Sequence, residues 1–442
     1  MDTKELYEIF LSCGGRVSTD SRNISGGELF FALRGENFDG NAYAAAALEN
    51  GAFRAVVDAS SAAAASGDSR MIAVDDTLSA LKSLAAWHRE HILVGGKRLP
   101  VVGLTGTNGK TTTKELIRTV LSAKYRVTAT EGNLNNDIGV PLSVLKIGPD
   151  TEIAVIEMGA NHPDDIAALV PVSRPDFGLI TNVGKGHLLG FGSFEGVKRA
   201  KGQLYDYLSA NGGTAFVNAD DPVLTGMAAE RRLDTIPYGL EFSGGKVLPA
   251  SAEHPFLRIE LPGLLVETNL VGAYNADNVL AAMAVGRHFG ISAEDAAEAI
   301  ASYRPTLNRS QMVITGRNTV IGDYYNANPS SMTAALGNLA GMEACRKAAL
   351  LGEMRELGDE SLAEHASVLR RLLAMDLQLV CLVGEEFIKA AGGFDGSLPE
   401  SIHCFAGSSE LASWLHEHPV DGYTVLVKGS RGVRMENVMP EL

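Results

Sequence analysis

Cysteine is scarce in this sequence. Cys13, Cys345, Cys381 and Cys404 stand far apart among 442 residues, with no CxxC spacing. That argues against a disulfide framework or a cysteine-based zinc site and fits a reducing compartment. Positive charge is also in short supply: 38 Lys and Arg face 53 Asp and Glu, a formal net charge of −15. The imbalance disfavours nonspecific attraction to nucleic acid or to an anionic membrane surface. Cations for a polyanionic ligand would have to be concentrated locally, so a phosphate site should be compact. No run approaches the ~18 apolar residues of a membrane span. The start, "MDTKELYEIF", lacks the cationic and apolar regions of a secretory leader. The expectation is a cytoplasmic monomer acting on small molecules, without nucleic-acid partners or membrane insertion.

What is present is ordinary for a globular protein: 45% hydrophobic and 21% charged residues. The length exceeds one hydrophobic core, since domains typically run to ~100–200 residues. We read three segments. Residues 1–79 hold "STDSRNISGGELFFALRGENFDGNAY", an Ala-rich helical run, the strand "FRAVV", and a surface helix or loop, "DASSAAAASGDSR". Residues 80–308 alternate strands ("RLPVVGL", "YRVTAT", "EIAVIEM", "DFGLITNV", "GTAFVN") with helical patterns such as "TTKELIRTVLSAK" and "FEGVKRAKGQLYDYL". That alternation predicts right-handed βαβ units and a mostly parallel, buried sheet. Residues 309–442 repeat the scheme with "NTVIGDYY", "KAALLGEM", "LQLVCLVG" and "YTVLVKGS", and no GxGxxG follows the first of these strands. A doubly wound α/β unit without a dinucleotide role is expected.

The chemistry concentrates at "GLTGTNGKTTTKE", residues 103–115. A strict GxxxxGK[ST] pattern fails because Leu104 stands where its first Gly should be. What remains, Thr105, Gly106, Thr107, Asn108, Gly109, Lys110, Thr111 and Thr112, is still a phosphate cradle. The glycines permit the loop, Lys110 supplies a cation and Thr111 a hydroxyl for Mg²⁺. The helix that follows points its N–H groups and positive dipole end at the anion. Glu157 ends the apolar strand of "AVIEMGANH", and His187 follows "DFGLITNV", so both fall at the carboxyl edge where α/β sheets bind ligands. Lys198 and Lys201 share a helix face; spacing alone makes both solvated cations.

Taken in order, "GTNGKTT", "GNLNNDIGVP", "EMGANH", "HLLGFGSFEGVKRAKG", "YNADN", "DYYNANPSSM", "GEMRELG" and "VKGSR" resemble the ATP-dependent Mur ligases of peptidoglycan synthesis. The resemblance runs from "DSR" to "KGSR", and eight motifs in this order are specific. It implies a three-domain α/β enzyme: an N-terminal UDP-sugar-binding domain, a central P-loop ATPase domain built on a parallel sheet, and a C-terminal Rossmann-like ligase domain. It implies ATP and two Mg²⁺ ions. Thr111 would hold one ion; Glu157, His187 and a carbamylated Lys201 would hold the other. Lys110, Glu157, His187 and Lys201 would then be the catalytic set.

By the same resemblance Ser21 and Arg22 would meet the UDP end of the acceptor, with Asn133, Asn135 and Asn136 near its muramoyl-peptide. Asn275, Asn278, Arg309, Asp323 and Tyr325 would contact the nucleotide. Lys428 and Ser430 would line the closing face. Asn326 and Asn328 of "YNANPSSM" mark the branch that joins D-alanyl-D-alanine to UDP-N-acetylmuramoyl-tripeptide. Three positions depart from the family pattern: Tyr274 where His is frequent, Asn308 where Gly is usual, and "DY" where "DS" is common. The γ-phosphate is expected to pass to a carboxylate, giving an acyl phosphate that an amine then attacks.

The folate polyglutamate-adding relatives lack the N-terminal domain that "DSRNISGGELFFALRGENFDG" suggests. Muramyl ligases that add diaminopimelate or lysine should not carry "YNANPSSM". A GTPase-like switch would need an NKxD motif, and "NADD" at 218–221 lacks the lysine.

Overall fold

The computed structural model describes residues 1–35, 37–251, 253–305 and 309–442; Asn308, and with it the expected 308/309 boundary, lies outside the described residues. Three main sheets follow one another along the chain. The first is parallel, with strands β1 (Val17–Ser18), β2 (Leu29–Phe31), β3 (Arg54–Asp58) and β4 (Met71–Val74) in that spatial order. The Ala/Ser-rich stretch between β3 and β4 forms only a short 3₁₀ turn, Ala64–Ser66. Helix α1 (Thr77–His91), capped by the Asp76 side chain on Ser79 N–H at 2.7 Å, crosses from this unit onto the next. Its Arg89 is fully buried and binds Asp176 at 2.7 Å, tying the helix to the loop before a central strand.

The middle sheet contains β5 (Val101–Thr105), β6 (Val127–Ala129), β7 (Ile153–Glu157), β8 (Phe177–Ile180), β9 (Thr214–Asn218) and β10 (Asp234–Tyr238). All are parallel, in the order β6-β7-β5-β8-β9-β10. Every residue of β5 and of β7 is buried, as a strand covered on both faces requires. Because β7 and β8 flank β5 on opposite sides, the loop after β5 opens at the point where the strand order reverses, the usual place for a ligand. Helix α2 (Lys110–Ser122) follows that loop, and α3 (Phe194–Asn211) and α4 (Ala276–His288) pack nearby.

An antiparallel three-stranded sheet, β11 (Lys246–Leu248), β12 (Arg258–Leu261) and β13 (Leu264–Glu267), stands between the two larger sheets in sequence. The last sheet runs β14-β15-β19-β16-β17-β18, with β14 (Gln311–Ile314), β15 (Thr319–Asp323), β16 (Lys347–Gly352), β17 (Leu379–Val383), β18 (Ile402–Phe405) and β19 (Thr424–Lys428). Only β14, at the edge, is antiparallel to its neighbour. Helices α5 (Pro329–Gly341) and α6 (Ser361–Leu373) flank it. All four cysteines are free thiols, and no described helix is long and apolar enough to cross a membrane.

Candidate active site

The phosphate cradle follows from local backbone chemistry. Gly109 caps α2 at φ 79°, and no side chain caps the first turn, so the helix presents free N–H groups. A side chain at Gly109 would come within 2.5 Å of Asn278 Oδ1, and one at Gly106 would collide with Thr181 Oγ1. Only glycine fits either place. The strand β8 then grips the loop from beside it. Thr181 Oγ1 donates to Asn108 O at 2.6 Å, Asn182 Nδ2 to the same oxygen at 3.0 Å, and Asn108 N–H to Asn182 Oδ1 at 3.0 Å. Lys110 folds back, donating to Gly106 O at 2.8 Å and Thr107 O at 3.0 Å. Burial pulls its pKa down to about 8, with Glu157 opposing.

The loop opens into a cavity of 520 Å³ lined from two units. The middle unit supplies Thr107 to Thr112, Asn133, Asn135, Glu157, His187, Asn275 and Asn278; the last unit supplies Arg309, Asp323, Tyr325, Asn326, Asn328 and Lys428. Most residues expected at a site therefore converge. Thr105, the buried last residue of β5, and Gly106 do not line the cavity. Asn136 lies outside the cavity lining, and its Oδ1 accepts Gly139 N–H at 2.8 Å at the start of the helix Gly139–Leu145. Ser430 is buried behind the face, accepting Arg355 N–H at 2.9 Å. Ser21 and Arg22 sit on the first unit at the carboxyl end of β1, outside this cavity, with Arg22 folded onto Asp20 at 2.9 Å.

Glu157 is fully buried. Its Oε1 accepts Asn135 Nδ2 at 2.8 Å and Thr111 Oγ1 at 3.2 Å, while Oε2 has no partner. A buried carboxylate oxygen left open beside a P-loop hydroxyl suits a cation. Among the described residues no group of three His, Cys, Asp or Glu side chains could hold a metal, so Glu157 and His187 need a further donor. Lys201, on α3, lies near His187 but does not line the cavity. It is 1% exposed, its Nζ donates to Ala160 O at 3.3 Å and lies 5.3 Å from the Phe191 ring centre. Burial, with Lys110 adding to it, drives its pKa well below the usual lysine range. Burial also lowers the pKa of His187, against the pull of Glu356. His187 has a left-handed backbone, φ 53°, and its Nδ1 lies against Glu356 Oε2 of the last unit.

On the opposite wall Asp323 accepts Lys428 Nζ at 2.5 Å, and Lys428 also donates to Asn326 O at 3.2 Å. Arg309 stacks on Tyr325 with its guanidinium carbon 3.7 Å from the ring centre. Tyr274 Oη and Ser310 Oγ are 2.6 Å apart, so the residue that departs from the family pattern bridges the two units. Asn328 Nδ2 donates to Asn108 Oδ1 at 2.8 Å, again from unit to unit. Thr181, Asn182, Ser310 and Glu356 are contributors that the sequence reading did not single out. A polar "TN" closing an apolar strand was a usable signal for the first two; nothing local marks the others.

Comparison with known proteins agrees with this geometry. A Mur ligase family catalytic-domain model matches residues 16–89, a Mur ligase middle-domain model 104–286, and a Mur ligase glutamate-ligase-domain model 308–431. The UDP-N-acetylmuramoyl-tripeptide–D-alanyl-D-alanine ligase of Bacillus subtilis is 33% identical over 433 residues, covering 96% of this chain and 92% of the relative. A MurF crystal structure from Acinetobacter baumannii superposes with a TM-score of 0.83 at 31% identity, covering 97% of this chain and 93% of that one. MurF ligase from Thermotoga maritima, in complex with ADP, gives 0.82 at 27% identity, with 96% of each chain covered. This chain belongs to the Mur ligase family.

Proposed function

We propose that the protein joins D-alanyl-D-alanine to UDP-N-acetylmuramoyl-tripeptide at the expense of ATP, through an acyl phosphate, in peptidoglycan synthesis. The observation that carries the reading is the shared cavity. A P-loop forms one wall, and Asn326, Asn328 and Lys428 of a second α/β unit form the other. That arrangement suits the transfer of a phosphoryl group to a second bound substrate and its protection from water.

In this reading residues 1–79 bind the UDP-sugar through Ser21 and Arg22, residues 80–308 bind ATP, and residues 309–442 close over it. The loop 105–112 and Lys110 hold the phosphates. Asn275, Asn278, Arg309, Asp323 and Tyr325 surround the rest of the nucleotide. Asn133 and Asn135 position the muramoyl-peptide beside Asn136, whose Oδ1 accepts Gly139 N–H, and Asn326, Asn328 and Lys428 line the closing face with Ser430 buried behind it. Thr111 would hold one Mg²⁺; Glu157, His187 and Lys201 would hold the other. Bound there, the ions would offset charge on the phosphoryl group in transfer.

Lys201 fits that set only after modification. Burial pushes its amine toward the neutral form, the form that adds to CO₂ with loss of a proton. The resulting carbamate is an oxygen donor suited to a hard cation. Labelled bicarbonate should give a carbamate carbon-13 signal that Lys201→Ala abolishes.

A free carboxylate is a poor acyl donor because it is anionic and its oxygen leaves badly. Phosphorylation removes both obstacles, and the enzyme's residues act by binding, orienting and excluding water. Hydroxylamine should therefore trap a hydroxamate of the UDP-linked acceptor. ADP accumulating at full rate without hydroxamate overturns the proposal. Phosphate release driven by single amino acids in place of the dipeptide would move the assignment to a sister ligase. The site calls for a compartment that supplies ATP and the nucleotide-linked acceptor, which we take to be the cytoplasm.

A further inference from the structure

The turn after β16 brings three charged side chains to the closing face: Glu353, Arg355 and Glu356. Glu353 and Arg355 pair with each other at 3.5 Å. Glu356 has no lysine or arginine partner among the described residues and is 54% exposed, with its carboxylate against His187. Its backbone is left-handed at φ 65°, which a non-glycine residue adopts at a cost. Contacts to the middle unit hold it there. Leu189 N–H donates to Glu356 O at 3.1 Å, and Gly358 packs over Leu189. The turn is thus pinned to the segment that follows β8, and the pinning aims Glu356 at the rim of the cavity.

We propose that Glu356 is the group that binds the ammonium of the incoming dipeptide, an inference that rests on the ligase reading above. Of the other carboxylates around the cavity, Asp277 sits in the first turn of α4 on the middle unit, hydrogen-bonded by Asn218 and without a cation among the described residues, and the rest are committed. Glu157 faces the P-loop hydroxyl and Asn135, Asp323 is held by Lys428, and Glu364 is held by Lys185 at 2.7 Å. A dipeptide that must deliver its amino end to an activated carbonyl carries a positive charge there. The nucleophile has to arrive within ~3–3.5 Å of that carbonyl. Glu356 supplies the complementary charge beside His187, from the unit that closes last. Its ion pair with the substrate would form only in the closed arrangement, so the dipeptide would be gathered by closure and not before it.

Glu356→Gln keeps the shape and removes the charge. Its KM for D-alanyl-D-alanine should rise about tenfold or more, the loss of a charge-assisted bond. KM for ATP and for the UDP-tripeptide should move by less than about threefold, within ordinary mutational scatter. Hydroxylamine, uncharged near neutrality, does not need the carboxylate, so the ratio of trapped hydroxamate to ligated product should increase. Glu356→Asp should recover part of the dipeptide affinity. A dipeptide KM within about twofold of the parent, or all three KM values rising together as for a purely structural contact, overturns the proposal. Absence of hydroxamate from the parent enzyme would sink the ligase reading itself, and this proposal with it.

Discussion

The side-chain amides of Asn108 and Asn328 face each other across two units. Asn328 Nδ2 donates to Asn108 Oδ1 at 2.8 Å, and the reciprocal contact is 3.4 Å. One residue belongs to the phosphate loop. The other caps helix α5 of the last unit, accepting Ser331 N–H at 2.9 Å. Gly184 and Gly186 make room for the approach: a side chain at Gly186 would come within 2.7 Å of Thr107 Cγ2. The two units thus meet at the loop proposed to hold the nucleotide. A double-mutant cycle on Asn108→Ala and Asn328→Ala should give a coupling of about 0.5–1.5 kcal/mol in kcat/KM for ATP. Asn328→Ala alone should also lower stability by about 1 kcal/mol through the lost cap, whereas Asn108→Ala should not. Additive effects on kcat/KM would show that the pair carries no coupling.

Glu157 offers a trade between stability and activity. It buries a carboxylate with one oxygen unsatisfied, an arrangement that costs the ligand-free fold. Glu157→Gln should melt at or above the parent's temperature in Mg²⁺-free buffer, yet lose about two orders of magnitude or more in kcat. A clear fall in Tm would contradict the reading of Glu157 as a strained functional group.

His365 gives the fold an acid limit. It is fully buried on α6; Nε2 accepts Met354 N–H at 2.9 Å and Nδ1 faces Ser361 O at 2.7 Å. Both contacts suit the neutral ring, and burial holds its pKa below the ordinary 6.5. As pH falls through 6.5 the unfolded chain takes up a proton that the folded chain resists. Stability is therefore full above that value and declines below it. Tm should drop between pH 7.5 and 5.5, and the slope should be shallower in His365→Gln. Equal slopes would assign the acid sensitivity elsewhere.

Arg309 stacks on Tyr325 at the wall where the nucleotide is expected. Arg309→Ala should raise KM for ATP about tenfold, the scale of one lost charge-assisted contact. An unchanged kcat/KM for ATP would remove Arg309 from the site.

Much of this architecture is legible in the sequence because buried parallel strands leave continuous apolar runs. "VVGLT" and "IAVIE" are of that kind, and each ends where a ligand-facing residue is wanted. The three-stranded sheet Lys246–Glu267 was not legible. Its strands are short and half-exposed, as in "KVL" and "LLVE", and resemble solvated loop. Strand β14 was missed for the same reason. At the site, Lys110, Thr111 and Glu157 carry local signatures. Glu356 and Ser310 do not, because their places depend on how one unit meets another. Asn136 shows the converse: it stands within an informative motif, yet its side-chain oxygen is taken up by Gly139 N–H.

The grip of Thr181 and Asn182 on Asn108 O holds the phosphate loop in shape through the protein's own contacts. Little ordering entropy then remains to be lost there when ATP arrives. In the proposed reading, the affinity that ATP gains beyond its phosphates comes from Asn275 and Asn278 of the middle unit together with Arg309, Asp323 and Tyr325 of the last. Ligands that fill only the cradle should therefore bind without rearranging the molecule. A compound that wedges between Asn108 and Asn328 would leave ATP bound but stranded, with its acceptor still open to water.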